Sequence, residues 1–301
     1  NHNGVIYSAA GTINIKNSEF IENATNSSHG GLNIAGGNVN VENTIFSGNS
    51  ALYSGVIDVN ATKLHINNSV FEANTSTNKA AVGITANSSA IIKNTIFKNN
   101  TSSANEYPAA AIQNYGGNTA ILADNGVTEF SGNAANGEFL AITNISSSSL
   151  NLNASKTGSF IINDNIAGQN NNKIYINAAN TLFDGTSAPT DGNIQMNGKF
   201  IGSSVILNNG SLTLGEYGQN STGYFENSDL TINGGTLNIA NGTVDTIDLN
   251  NFSANGGSVI LDLAGENKTY DKFNISGTTS GTLNIGAVNV TSELNNTYGA
   301  P

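Results

Sequence analysis

The sequence predicts an all-β chain wound as a parallel β-helix of about three short strands per coil, and three observations carry that prediction. A segment of about 25 residues returns in sequence; hydrophobic residues inside it alternate with period two; and the stretches between them are rich in Gly, Asn and Ser. The unit is seen best in GGLNIAGGNVNVENTIFSGN (30–49). It lies on GVIYSAAGTINIKNSEFIEN (4–23) behind it, and on GVIDVNATKLHINNSVFEAN (55–74) and AVGITANSSAIIKNTIFKNN (81–100) ahead of it. Its sharpest signature is Phe-x-x-Asn, at Phe20/Asn23, Phe46/Asn49, Phe71/Asn74 and Phe97/Asn100, with looser returns at Phe130/Asn133 and Phe160/Asn163. A unit this short cannot bury a core alone, so stacked neighbours must complete it.

Stacking sets equivalent residues about 4.8 Å apart, and aligned positions then become columns. Ile6, Leu32, Ile57 and Val82 form one apolar column; Ile13, Val39, Leu64 and Ala90 a second; Ile15, Val41, Ile66 and Ile92 a third; and Phe20, Phe46, Phe71 and Phe97 a fourth. Two further columns are polar, Asn17, Asn43, Asn68, Asn94 and Asn23, Asn49, Asn74, Asn100. Asn tolerates left-handed backbone and its amide can bond the amide of the next coil, so both columns are expected to be structural ladders. The outward neighbours of the buried columns, Asn14, Asn40, His65 and Lys93, are expected to line up as a polar interaction face.

From residue 1 to about 101 the coils are regular. The Phe spacing then stretches to 33, which makes residues 102–115 the expected protrusion of this half. Beyond it, LNL (150–152) and FII (160–162) alternate as strands, GQNNNK (168–173) has the composition of an exposed turn, and 182–191, with Pro189, reads as a loop. After about residue 192 the strands become glycine-bounded, as in VILNNG (205–210) and LTINGG (230–235), and Phe-x-x-Asn is gone. No linker intervenes. We therefore divide one solenoid into regular coils at 1–191, glycine-rich coils at 192–264 and a C-terminal capping segment at 265–301. A body of about 12 coils would be roughly 60 Å long.

Composition removes whole classes of function. The formal charge is −11 and all ten cations are Lys, so the basic footprint and bidentate Arg of a nucleic-acid reader are missing. The absence of Cys excludes disulfide, thiolate-metal and thiol-nucleophile chemistry together. No stretch reaches 18 apolar residues, and the chain opens in mid-repeat, as a piece of a longer precursor would.

The pairing of Gly-Gly-[small or aliphatic]-x-[aliphatic] with a later Phe-x-x-Asn, as in Gly30-Gly31-Leu32 with Phe46/Asn49, resembles the repeats of the polymorphic outer-membrane protein family of autotransporters. DKFNISG (271–277) is similar to the strand near the end of many autotransporter passengers. The resemblance covers about residues 4–163 and 271–285. It implies a right-handed β-helix displayed on the surface of a Gram-negative bacterium, and a membrane association only through a barrel that lies outside this chain.

Enzymes of parallel β-helix fold set the competing expectation. Lyases of this fold hold Ca²⁺ on clustered carboxylates beside a basic residue, and the hydrolases resemble one another in Asp-Asp, Gly-His-Gly and Arg-x-Lys motifs. None of those motifs is present, the Asp residues are dispersed, and the odd spacing of Asp245 and Asp248 sends them to opposite faces of a strand. His2, His29 and His65 cannot be stacked together. The expectation is a surface-displayed adhesin without catalytic residues, cofactor or metal, binding itself or a host-surface protein or glycan. The alternatives are a carbohydrate-active enzyme and a passive stalk.

Overall fold

The computed structural model describes residues 5–26, 30–79, 81–105, 108–215, 223–264 and 269–291, with the backbone alone at 170 and 171. All described regular structure is β, and the strands stack in parallel as a solenoid of about ten turns. That is fewer than the 12 expected, because the coils lengthen after Phe97, whose column continues at Phe130, Ile162 and Met196, and the extra chain goes into turns and loops. At about 4.8 Å per level the rod is about 50 Å long.

One coil shows the plan. Leu32–Ile34 and Gly37–Glu42 lie in one long bent sheet and Ile45–Ser47 in a second, while Ser50–Ala51 starts a short ladder of its own with Thr75–Ser76. The next coil repeats it with Ile57–Val59, Thr62–Asn67, Val70–Glu72 and Thr75–Ser76. The apolar columns stand in the register drawn from sequence: Ile6 on Leu32, Ile57 and Val82, and Ile13 on Val39, Leu64 and Ala90. Alternation drives each such residue inward, and one continuous core runs through the coils from Ile15 to Val259.

The Phe column is a stack of rings. Centroids from Phe20 through Phe46, Phe71 and Phe97 to Phe130 are 4.9, 4.7, 4.8 and 5.0 Å apart, and every ring after Phe20 is fully buried. The expected return at Phe160/Asn163 is displaced. Ile162 sits over Phe130 and Phe160 over Thr128, Asn163 turns outward, and Asp164 takes the inward place.

The two Asn columns differ in kind. Asn49, Asn74, Asn100 and Asn133 are buried and form a ladder, in which each Oδ1 accepts from the backbone N–H and the Nδ2 of the Asn one coil earlier. Asn23 begins it with bonds of 3.1 and 2.8 Å to Asn49. The second Nδ2 hydrogen goes to a Phe carbonyl, as from Asn74 to Phe46 at 3.0 Å. The ladder ends on Asp164, whose carboxylate accepts from Gly132 N, Asn133 N and Asn133 Nδ2. Burial pushes Asp164 above the usual carboxylate range, against the pull of those bonds.

Asn17, Asn43, Asn68 and Asn94, by contrast, are turn residues with φ of 49, 49, 49 and 50°. Asn43 bonds Asn17 at 3.2 Å and Asn94 bonds Asp124, but Asn68 is exposed and makes no side-chain hydrogen bond among the described residues. The expected amide ladder at Asn68 is therefore corrected: left-handed backbone alone accounts for Asn there. The residue after each turns inward, and Ser18, Thr44, Ser69 and Thr95 each donate to the carbonyl two residues back.

Three other expectations change. GQNNNK (168–173) is not a turn but part of strand Asn165–Ile176, with a register shift between Ala167 and Asn172. Residues 109–112, inside the expected protrusion, are buried. The segment expected to close the rod adds another coil instead: Lys272–Ile275 pairs with Thr246–Leu249, Thr279–Gly281 with Phe252–Ala254, and Asn284–Val290 with Ser258–Ala264, all in parallel. Apolar Ile285, Val288 and Val290 on this coil are exposed among the described residues.

Candidate binding surfaces

The outward row of the long sheet begins as the alternation predicts. Asn14 pairs with Asn40 and Asn40 with His65, and Asn40 Nδ2 donates to Asn14 Oδ1 at 2.8 Å. The next residue in that row, however, is Ile91. Lys93 stands one row over, behind Lys16, Glu42 and Asn67, and pairs with Asp124 at 2.7 Å. His2 and His29 lie outside the described residues.

Ile91 is buried although it faces outward, because residues 179–191 fold back over the coils below. This finger is a small hairpin, with Thr181 bridged to Ser187 and Leu182 N bonded to Thr186 O. Asn180 holds it to Asn151, and Asn153 Nδ2 binds the Ala178 and Pro189 carbonyls, both at 2.9 Å. Leu182, Phe183 and Ala188 pack on Ile91, Ala120 and Leu122. At its tip the Phe183 ring lies 4.7 Å from the His65 ring, and Asp184 Oδ2 is 3.4 Å from His65 Nε2. Partial burial pushes Asp184 up, but bonds from the Thr186 hydroxyl and N–H and from His65 outweigh it and hold the carboxyl below its usual range. So His65 faces outward as expected but is partly covered, and the polar row is more open around Asn14 and Asn40.

A groove of about 710 Å³ lies on the neighbouring part of the long sheet, spanning three coils. Tyr53 and Tyr115 stand on its rims, 45% and 44% exposed. Between them are the carboxamides of Asn60, Asn78, Asn105 and Gln113. Lys79 is held by both Asp58 oxygens, at 3.0 and 3.1 Å, and its ammonium lies 5.3 Å from the Tyr53 ring centroid. Gly83 makes this possible, since a Cβ there would meet Asp58 Oδ1 at 2.6 Å and the Lys79 stem at 3.2 Å. Sequence alignment marks the Tyr positions only as departures from the repeat, and that irregularity was the available signal.

The carboxylates nearest one another are buried at the far end. Asp245 and Asp248 do face opposite ways: Asp245 is inside, and Asp248 outside accepts from Asn274 at 3.0 Å. Inside, Asp245 joins Asp262 and Asp271, which sequence separation had hidden. Asp271 accepts from Asp245 N and Asp262 N at 2.6 and 2.5 Å, Asp262 from Gly242 N and Asn289 Nδ2, and Asp245 from Asn241 Nδ2 and, at 3.5 Å, the Tyr224 hydroxyl. Burial, with Asp262 and Asp245 adding repulsion, pushes Asp271 up to about 6, and burial also raises Asp245. These oxygens hold backbone turns together. Among the described residues no three His, Cys, Asp or Glu side chains are placed to hold a metal ion. Comparison of the chain with protein-family models, with curated proteins and with solved structures returns no match.

Proposed function

We propose that the chain is the surface-displayed passenger of an autotransporter and acts there as an adhesin, contacting partners with the outer faces of its rod. The observation that carries this reading is the groove between Tyr53 and Tyr115, where exposed aromatic rings stand among carboxamide side chains and offer contact chemistry. Lys79 on its wall is paired with Asp58. The buried carboxylates at the other end support structure better than they support a lyase or hydrolase. A passive stalk would need no such groove. Cells displaying the chain should adhere to host-cell monolayers more than cells displaying a scrambled-coil control; equal adhesion overturns the reading.

A second mode, homotypic adhesion between rods, is favoured by the outer face of the Phe sheet. There Ile45, Val70 and Ile96 follow one another in register, with Glu19 and Glu129 at either end. The net charge of −11 opposes contact between two copies, and salt screens that repulsion. Light scattering of the purified chain should therefore show association rising with ionic strength; a monomer at all salt concentrations excludes this mode.

A further inference from the structure

We propose that the groove between Tyr53 and Tyr115 is a binding site for a neutral oligosaccharide. The inference rests on the adhesive reading above and narrows it to a ligand class.

The chemistry selects the class by what each wall offers. Tyr53 and Tyr115 expose apolar ring surface, of the kind that receives the C–H face of a sugar ring. Asn60, Asn78, Asn105 and Gln113 each carry a donor and an acceptor on one planar group, which matches vicinal hydroxyls that both give and take hydrogen bonds. A volume of about 710 Å³ is that of a small-molecule cleft, large enough for several sugar rings.

Electrostatics then select a neutral ligand. Among the described residues the one ammonium on the groove, Lys79, is paired with Asp58, and the two side chains are 16% and 13% exposed. An acidic ligand would have to break that pair and approach a chain of charge −11. Geometry adds a reason for an oligomer. The walls come from successive coils, with Tyr53 and Asn60 from one, Asn78 and Lys79 from the next, and Asn105, Gln113 and Tyr115 from the third. The walls therefore step by about 4.8 Å from coil to coil, close to the length of one sugar ring.

Isothermal titration of the whole 301-residue chain tests this with chitohexaose, mannohexaose and maltohexaose as neutral probes and hexagalacturonate as the acidic one. At least one neutral hexasaccharide should bind, at least tenfold more tightly than hexagalacturonate. Tyr53→Ala and Tyr115→Ala should each weaken binding at least tenfold with an unchanged circular dichroism spectrum, and Tyr53→Phe by much less. The inference is overturned if no neutral probe binds, if the acidic probe binds best, or if binding survives both alanine variants. Displayed chains separate this from the adhesive reading. Adhesion that persists in the double Tyr variant sinks the sugar site and leaves adhesion standing, whereas Tyr-dependent sugar binding without adhesion does the reverse.

Discussion

Asn74→Ala is the sharpest test of the buried ladder. Asn74 Oδ1 accepts from Asn49 N at 3.0 Å and Asn49 Nδ2 at 2.9 Å, and its Nδ2 donates to Phe46 O at 3.0 Å and Asn100 Oδ1 at 2.9 Å. Alanine removes all four bonds. It leaves two orphaned donors on Asn49, the backbone N–H and one amide hydrogen, at a residue only 1% exposed. At about 1–3 kcal/mol per buried unsatisfied group, the loss should be about 3–5 kcal/mol, and glycine at 74 should cost no less. Asn68 provides the contrast. Its side chain bonds nothing among the described residues, but its φ is 49°, so Asn68→Ala should cost about 1 kcal/mol and Asn68→Gly close to nothing. Urea unfolding followed by circular dichroism measures the totals, and hydrogen exchange of peptides spanning 57–76 localises them. Equal losses at 74 and 68, or a glycine at 68 as costly as alanine, would refute the distinction between the columns.

Phe71→Ala, in a fully buried ring stack, should cost about 3–5 kcal/mol, and Phe252→Ala, half-buried outside that stack, distinctly less; equal urea midpoints would remove the Phe register. Asp271 binds its proton more tightly folded than unfolded, so its contribution is present at acid pH and is lost as pH rises from its ordinary value near 3.8 through about 6, by about 3 kcal/mol in all. Asp245→Asn removes one repelling charge and should flatten that fall; urea midpoints at pH 4.5 and 7.5 that change alike in both proteins would count against it. Phe183→Ala should uncover Ile91 and Leu122 and raise the rate of proteinase K cleavage within 179–191 several-fold, leaving the coils intact. Because the Asp184 carboxyl is held below its ordinary range, its contact with His65 persists above that range and is lost only as pH falls through the lowered value; hydrogen-exchange protection of 179–191 unchanged between pH 7 and pH 2.5 would deny it a role.

The period, the inward columns and the turn positions were legible because each is a local pattern repeated at every level, so that sequence alignment is already spatial alignment. Which Asn column bonds through its amides was not legible, since Asn68 and Asn74 look alike until burial separates them. The Ser or Thr after the first column was the overlooked sign, for its hydroxyl closes the turn that the Asn opens. The finger had a signal too. AII at 90–92 and AILA at 120–123 break the alternation of a half-exposed strand, and an unbroken apolar run asks for cover on both faces. Where that cover comes from is a long-range fact that no local pattern holds. The same is true of Asp245, Asp262 and Asp271, brought together by a coil step and a hairpin. Lys93 was misplaced by a single row, because it was assigned to His65 rather than to Asn67.

The Asn ladder has a direction, and that direction bears on how such a rod changes over generations. From Asn23 to Asn133 every rung takes from the level before and gives to the level after, so any whole coil between them has the same socket below and the same plug above. Duplicating or deleting one coil restores the joint without a compensating mutation. Asp164 closes the series, because a carboxylate accepts and has no hydrogen to pass on. Upstream of that residue, length is a heritable quantity that unequal recombination can adjust in steps of about 5 Å, while the glycine-rich portion beyond it stays unaltered.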